Sequence, residues 1–164
     1  MKTFIIAAIS ADGFIARRTN ELADWTSKED KRIFVELTKR AGVMVMGNTT
    51  FQTIGRALPG RRNIVYSYGT VDVESVEVTD EAPAVLLQRL EAEGCTEVAI
   101  CGGSAIYTMF MQAGVVDELY LTVEPCVFGT GVPLFSGALQ TQLTLLEPRS
   151  LNDNVLLLHY EVQK

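Results

Sequence analysis

The sequence has a single histidine among 164 residues, which removes the commonest general base and a common metal ligand from most of the chain. No Ser-His-Asp or Cys-His nucleophile can be assembled without His159, which lies in a strand-like stretch far from every glycine turn and reads as structural. Cys95, Cys101 and Cys126 show no C-x-x-C spacing, so neither a disulfide framework nor a zinc site is indicated and all three read as reduced thiols. No apolar run approaches the roughly 20 residues that cross a bilayer, and the stretch TFIIAAIS carries no signal-peptide cleavage pattern, so a cytoplasmic location and no membrane partner are expected. A surplus of positive charge is also lacking. Formal net charge is -6 with both signs spread along the chain, which excludes a general affinity for nucleic acid and favours a small ligand. The dinucleotide fingerprint G-x-G-x-x-G is absent, as are internal repeats and low-complexity tracts.

What the chain does contain is enough apolar material for one domain with a sizeable core, 48% of its residues being hydrophobic. Its organising stretch is residues 97–123, EVAICGGSAIYTMFMQAGVVDELYLTV, in which two apolar runs flank a double glycine and a helical segment. Residues 98–101 and 119–123 lack polar alternation, as expected of strands covered on both faces. Between them, 105–113 can form a helix with Ser104 as its N-cap and Gly114 at its left-handed end. This is a βαβ unit, and it predicts a parallel sheet. Gly102 and Gly103 then lie at a strand's carboxyl end just before a helix N-terminus, where backbone N–H groups and the helix dipole favour a phosphate. The same glycines also suit a bare tight turn, and on these residues alone both readings stand.

Ahead of that unit, residues 3–9 suit a central strand, and SADGFIARRTNELADW at 10–25 is a long loop placed to close over a ligand, with Trp25 at its far end. A helix follows over about 27–40, with Thr26 and Glu29 spaced as a capping box. Turning 100° per residue from Asp30 places Phe34 at about 40°, Ile33 at about -60°, Leu37 at about -20° and Ala41 at about 20°, so Asp30 lies mid-face among apolar residues. An unpaired charge there costs several kcal/mol, so the carboxylate needs either a partner or a place at the rim of the core beside the helix dipole. Residues 43–46 form another buried-type strand ending in glycine, and 48–54 a short helix opened by Asn48 or Thr49. The segment GRALPGRR at 55–62 gathers Arg56, Arg61 and Arg62, either as a solvated surface or as a site for a carboxylate or phosphate, before a strand at 63–67. Further on, the pattern predicts a short alternating strand over 71–78, a helix over 83–93, a glycine-containing loop at 125–135 and two strands at 141–148 and 155–162 that close an antiparallel edge.

Five motifs in this order resemble the dihydrofolate reductase family over nearly the whole chain: IAAISADGFIA at 6–16, the spacing of Trp25, Asp30 and Phe34, VMGNTTFQTIGRALPGRRNIVYS at 45–67, EVAICGGSAIY at 97–107 and DELYLT at 117–122. The resemblance implies a single α/β domain over 1–164 with a central, mostly parallel eight-stranded sheet, about four flanking helices and an antiparallel C-terminal edge. It implies NADPH as cofactor and dihydrofolate as substrate, hydride going to C6 of the dihydropterin and a proton to N5. Asp30, with Trp25, Tyr107 and Thr122, would form the catalytic group. Ile6, Ala7, Phe34, Ile54, Leu58, Arg61 and Cys101 would bind substrate beside Asp30, with Arg61 clamping a tail carboxylate. Ala8, Ile15, Gly47, Asn48, Thr49, Thr50, Ser67, Tyr68, Gly102, Gly103, Ser104, Ala105, Ile106 and Tyr107 would line the cofactor site, and the Gly102–Gly103 peptide is expected to be cis.

There are departures from the family pattern. The family usually carries arginine where Asn48 stands, often arginine or lysine where Ala105 stands, and frequently a small polar residue where Tyr68 stands. The 2′-phosphate of NADPH would then be reached by Arg17, Arg18 or Arg62 from a neighbouring loop or strand. The segment PCVFGTGVPLF at 125–135 is more similar to the related reductase domain of riboflavin biosynthesis. A pyrimidine reductase is therefore the alternative reading, and a catalytically silent pterin- or nucleotide-binding module the third. No metal is implied, and the sequence does not fix the oligomeric state.

Overall fold

In the computed structural model, which describes residues 1–164, the apolar runs pair into one eight-stranded sheet. The chain runs β1 (Lys2–Ser10), β2 (Phe14–Ala16), α1 (Lys28–Ala41), β3 (Val43–Gly47), α2 (Asn48–Ile54), β4 (Arg62–Tyr66), β5 (Val76–Thr79) and α3 (Pro83–Ala92). It continues through β6 (Glu97–Ile100), α4 (Ser104–Gln112), β7 (Glu118–Glu124), β8 (Val132–Pro133), β9 (Leu143–Ser150) and β10 (Leu156–Val162). Sheet order is β5-β4-β3-β6-β1-β7-β10-β9; the first six strands are parallel, and β10 runs antiparallel to both β7 and β9. The mostly parallel sheet, the four helices and the antiparallel C-terminal edge are those the resemblance implies. The surprise is a two-stranded ribbon, β2 with β8, inside two stretches that read as loops.

Strands without polar alternation require cover on both faces, and they receive it. On one face α1 and α2 lay Ile33, Leu37 and Phe51 over Phe4, Ile6, Met44, Met46 and Val65. On the other, α3 and α4 lay Leu86, Leu90, Tyr107 and Phe110 over Ile5, Val45, Ile64 and Ile100. Each such side chain contributes about 1.5 to 3 kcal/mol on full burial, and truncating the wholly buried Phe110 to alanine costs about 3 to 5 kcal/mol.

Several boundaries differ from the sequence reading. Ser27, not Thr26, caps α1: its Oγ accepts from Asp30 N at 3.1 Å, while Gly42 at φ 72° ends the helix. Gly47 rather than Asn48 or Thr49 precedes α2, and Gly103 rather than Ser104 precedes α4. In both cases an extended glycine occupies the cap position, so no side chain bonds back and the first-turn N–H groups stay unclaimed by any cap. The strand expected over 71–78 shrinks to β5, because the ladder extends only as far as the partners Asn63 to Tyr66 on β4.

The topology offers one place for a ligand. From β3 the chain moves outward to β4 and β5, whereas β6 sits between β3 and β1 and leads through α4 to β7 on β1's far side. At that reversal the carboxyl ends of parallel strands leave a crevice, the usual ligand position in an open α/β sheet.

Candidate active site

Asp30 stands in the first turn of α1, and the periodicity that sets it among Ile33, Leu37 and Ala41 is realised: it is 9% exposed. Burial raises its carboxyl above the ordinary range; hydroxyls of Thr122 and Thr26 pull it down, the Glu124 charge pushes it up, and Lys31 opposes that push. Thr122 and Glu124 lie two residues apart on β7 and so share a face. Glu124 is 3% exposed, accepts from Ser27 N at 2.8 Å and from Ser27 Oγ at 2.7 Å, and has no ion-pair partner. The sequence reading passed over it. Its signal was the period-two run Tyr120, Thr122, Glu124, which repeats the face that carries Thr122.

Arg61 is half-buried and has no carboxylate partner. Its Nη1 donates to Thr38 Oγ1 at 2.8 Å and its Nε to Pro59 O at 3.1 Å, and desolvation lowers its pKa. The loop that carries it is fixed by a residue read only as a strand start. Asn63, 2% exposed, accepts from Leu58 N at 2.9 Å and donates to Leu58 O at 2.9 Å and Arg61 O at 2.7 Å. The three arginines do not form one cluster. Arg62 leaves the cleft for Glu77 and Glu93, and Arg56 is exposed, so Arg61 alone remains a free half-buried cation.

The two glycine turns meet. Gly47 N donates to Gly102 O at 2.7 Å. A Cβ on Gly47 would stand 3.0 Å from Ile106, and one on Gly103 would stand 3.2 Å from Thr50 Oγ1. The first turns of α2 and α4 are thus neighbours. Gly102 has φ 109°, which favours glycine, and its peptide to Gly103 is cis, as expected. Beneath it the Tyr107 hydroxyl donates to Ile6 O at 2.8 Å, and burial drives its pKa well above the usual phenol value, so it is a fixed donor at neutral pH. Ser104 Oγ is the buried side-chain polar atom left without a hydrogen-bond partner. Burial also pushes the Cys101 thiol up to about 12, which keeps it neutral.

Other expected residues sit at the margins. Tyr68 is fully exposed, Thr49 and Ala105 are exposed, and Ser67 Oγ accepts from Gly69 N at 3.2 Å. Ile15 lies in β2, and Trp25 packs edge-on against Phe128 with centroids 4.9 Å apart. Phe34, Ile54 and Leu58 are partly buried and pack against the core cluster that contains Ile6 and Cys101. Arg17 is paired with Glu21 at 2.6 Å and Arg62 with Glu77 at 2.7 Å, so of the cations expected to replace the missing arginines Arg18 alone has no ion pair. His159 stacks on Tyr120 at 4.1 Å and bonds Glu118 at 2.9 Å, a structural position. A cavity of about 250 Å³ between α1 and β10 is lined by Ile33, Leu37, Tyr120 and His159; neither Asp30 nor a glycine turn borders it.

Comparison with known proteins agrees with this geometry. The family model described as dihydrofolate reductase matches residues 2–127. Dihydrofolate reductase type 3 of Salmonella typhimurium is 37% identical over 119 residues, covering 72% of this chain and 68% of its own length. Two solved structures share the fold. A dihydrofolate reductase from Enterococcus faecalis complexed with NADP(H) and RAB-propyl superposes with TM-score 0.79 at 23% identity, covering 99% of this chain and 97% of that one. A pyrimidine reductase-like protein from Corynebacterium diphtheriae also has TM-score 0.79, at 18% identity, covering 99% of this chain and 92% of that one. By the family model and by identity to the Salmonella enzyme, this chain belongs to the dihydrofolate reductase family, whose members are oxidoreductases.

Proposed function

We propose that the protein is an NADPH-dependent dihydrofolate reductase, reducing 7,8-dihydrofolate to tetrahydrofolate. The observation that carries this reading is a pair of ionisable groups without ion-pair partners along α1: the buried carboxyl of Asp30 and the guanidinium of Arg61 resting on Thr38. Eight residues of helix separate Asp30 from Thr38, about 12 Å at 1.5 Å per residue. A ligand with a hydrogen-bonding ring at one end and an anion at the other, joined by an aromatic section against Phe34, Ile54 and Leu58, satisfies both. Dihydrofolate has that chemistry.

The glycine crevice fits a phosphate-bearing cofactor. Uncapped N–H groups of α2 and α4, close approach at Gly47 and Gly103, and the unpartnered Ser104 Oγ are what a pyrophosphate would use. When bound, the nicotinamide supplies the hydride. The chain's own residues do the rest. Tyr107, locked to Ile6 O, would shape the floor on which the two rings meet. Asp30 would hold a proton at its carboxyl, pass it toward N5 directly or through water, and become the anion that stabilises the cationic imine. The loop carrying Trp25, stitched to the 125–131 loop through Asp12 and Phe128, would exclude water.

The second reading, a riboflavin-type pyrimidine reductase, is supported by the equal fold likeness to the Corynebacterium protein. Loss of NADPH absorbance with dihydrofolate, beside the same assay with the ribitylamino-pyrimidine phosphate, tests the two. Turnover of dihydrofolate alone is expected; turnover of the pyrimidine alone overturns the reading.

A further inference from the structure

Behind Asp30 lies a second buried carboxylate that the proposed chemistry does not use. Glu124 ends β7, is 3% exposed and has no cation beside it, an arrangement that costs several kcal/mol unless hydrogen bonds compensate. Two do, and both come from Ser27: the backbone N–H at 2.8 Å and the hydroxyl at 2.7 Å. The same hydroxyl oxygen accepts from Asp30 N at 3.1 Å, so Glu124, Ser27 and Asp30 form one chain of hydrogen bonds. A neutral side chain could satisfy Ser27 equally well. What only a carboxylate adds is charge.

We propose that Glu124 is a positioning residue for Asp30, gripping the N-cap of α1 to fix the acid's place and setting a second carboxylate beside it. The inference rests on the reading of Asp30 as the site's acid. The ionisable groups around Asp30 are few. β7 brings Glu124, with Thr122 as a neutral hydroxyl; α1 brings Lys31; α4 brings the Tyr107 phenol; the segment before α1 brings Thr26 and Ser27. β1 runs alongside as Ile5 to Ile9 with no ionisable side chain. Of these, Glu124 makes the proton on Asp30 harder to lose, and Lys31 makes it easier. The fraction of sites still holding that proton sets the rate on the alkaline side.

Glu124→Gln keeps an acceptor for Ser27 and deletes the charge. With NADPH and dihydrofolate, its alkaline limb should move to lower pH, giving a rate roughly threefold or more below the parent on that limb and little change at acid pH. Ser27→Ala keeps the charge and deletes the cap, so it should lower the thermal midpoint while leaving the position of the limb in place. A ¹³C titration of aspartate-labelled, ligand-free protein, with the Asp30 resonance assigned through Asp30→Asn, reads the same effect without turnover. A downward move of that titration in Glu124→Gln supports the inference even if dihydrofolate is not reduced, in which case only the functional reading fails. An unmoved titration, or a Glu124→Gln variant that loses thermal stability alone, overturns it.

Discussion

The charges on the β4, β5 and α3 side of the molecule and those beneath α1 obey opposite rules. On the first side, Arg62 and Arg89 share Glu77 at 2.7 Å each, Arg89 also takes Glu81 at 2.7 Å, and both arginines reach Glu93. All five side chains are between 27% and 40% exposed, so water screens them and each pair contributes about 1 kcal/mol or less. Under α1 there are fewer ionisable groups and none has an ion-pair partner: the deeply buried Asp30 and Glu124, and the half-buried Arg61. Paired charges on a wet surface are satisfied within the chain. Unpaired ones at the rim of a cleft leave part of their solvation to be completed by a ligand, which is why the second region carries the proposed site although the first holds more ions.

Arg61→Leu should break the contrast most visibly. Losing a charge-assisted clamp should weaken dihydrofolate binding by roughly 2 kcal/mol, about thirtyfold in Kd, with a smaller effect on NADPH. Titration of both ligands against mutant and parent checks this.

Next comes Asp30→Asn. It should lower kcat at neutral pH by tenfold or more, about 1.4 kcal/mol of barrier, with the loss shrinking at low pH where the substrate is more readily protonated. Its effect on stability runs the other way. Because the folded-state carboxyl is raised, protonated Asp30 is favoured in the fold, and that contribution is lost as pH rises through the folded value. The mutant should therefore be more stable than the parent at pH 7, and the difference should vanish as pH falls to the ordinary carboxylate range. Urea titrations at neutral and acid pH measure the difference.

The proposed cofactor site sharpens the comparison from a third direction, because Asn48 and Ala105, expected from the family resemblance to face the 2′ end, carry no charge, while Arg17 and Arg62 are engaged elsewhere. The preference for NADPH over NADH in kcat/KM should be about tenfold or less and change little with salt. A large, salt-sensitive preference would show that Arg18 or another cation reaches the phosphate. The smallest effect belongs to the surface network: Arg89→Ala should cost roughly 1 kcal/mol or less and leave kcat and both ligand affinities unchanged.

Much of this was legible in the chain. Unalternating runs give the parallel strands, glycine after β3 and β6 gives the crevice, and a 100° wheel turns Asp30 inward. What escaped depended on pairing across long sequence separations. Glu124 meets Ser27 across 97 residues, and no local period announces that contact. Asn63 looked like the first residue of a strand because its three hydrogen bonds run back into the preceding turn. The caps at Gly47 and Gly103 were missed for a different reason. Side-chain preference points to Asn, Thr or Ser, whereas neighbouring side chains approach Gly47 and Gly103 so closely that a Cβ would crowd them. The ribbon of β2 with β8 joins segments more than a hundred residues apart, too short to show any alternation.

The insertion of β6 between β1 and β3 has a consequence for how the protein is made. β1 and β3 do not touch each other as strands; each pairs with β6, and β1's other edge waits for β7. A nascent chain that ends before residue 97 therefore holds β3, β4 and β5 as one patch and β1 as an orphan with both edges bare. Such edges invite pairing with other chains. The sheet becomes continuous only when the later half of the polypeptide has emerged, so assembly is governed by non-local closure and a truncated translation product should be an aggregation substrate rather than a half-built enzyme.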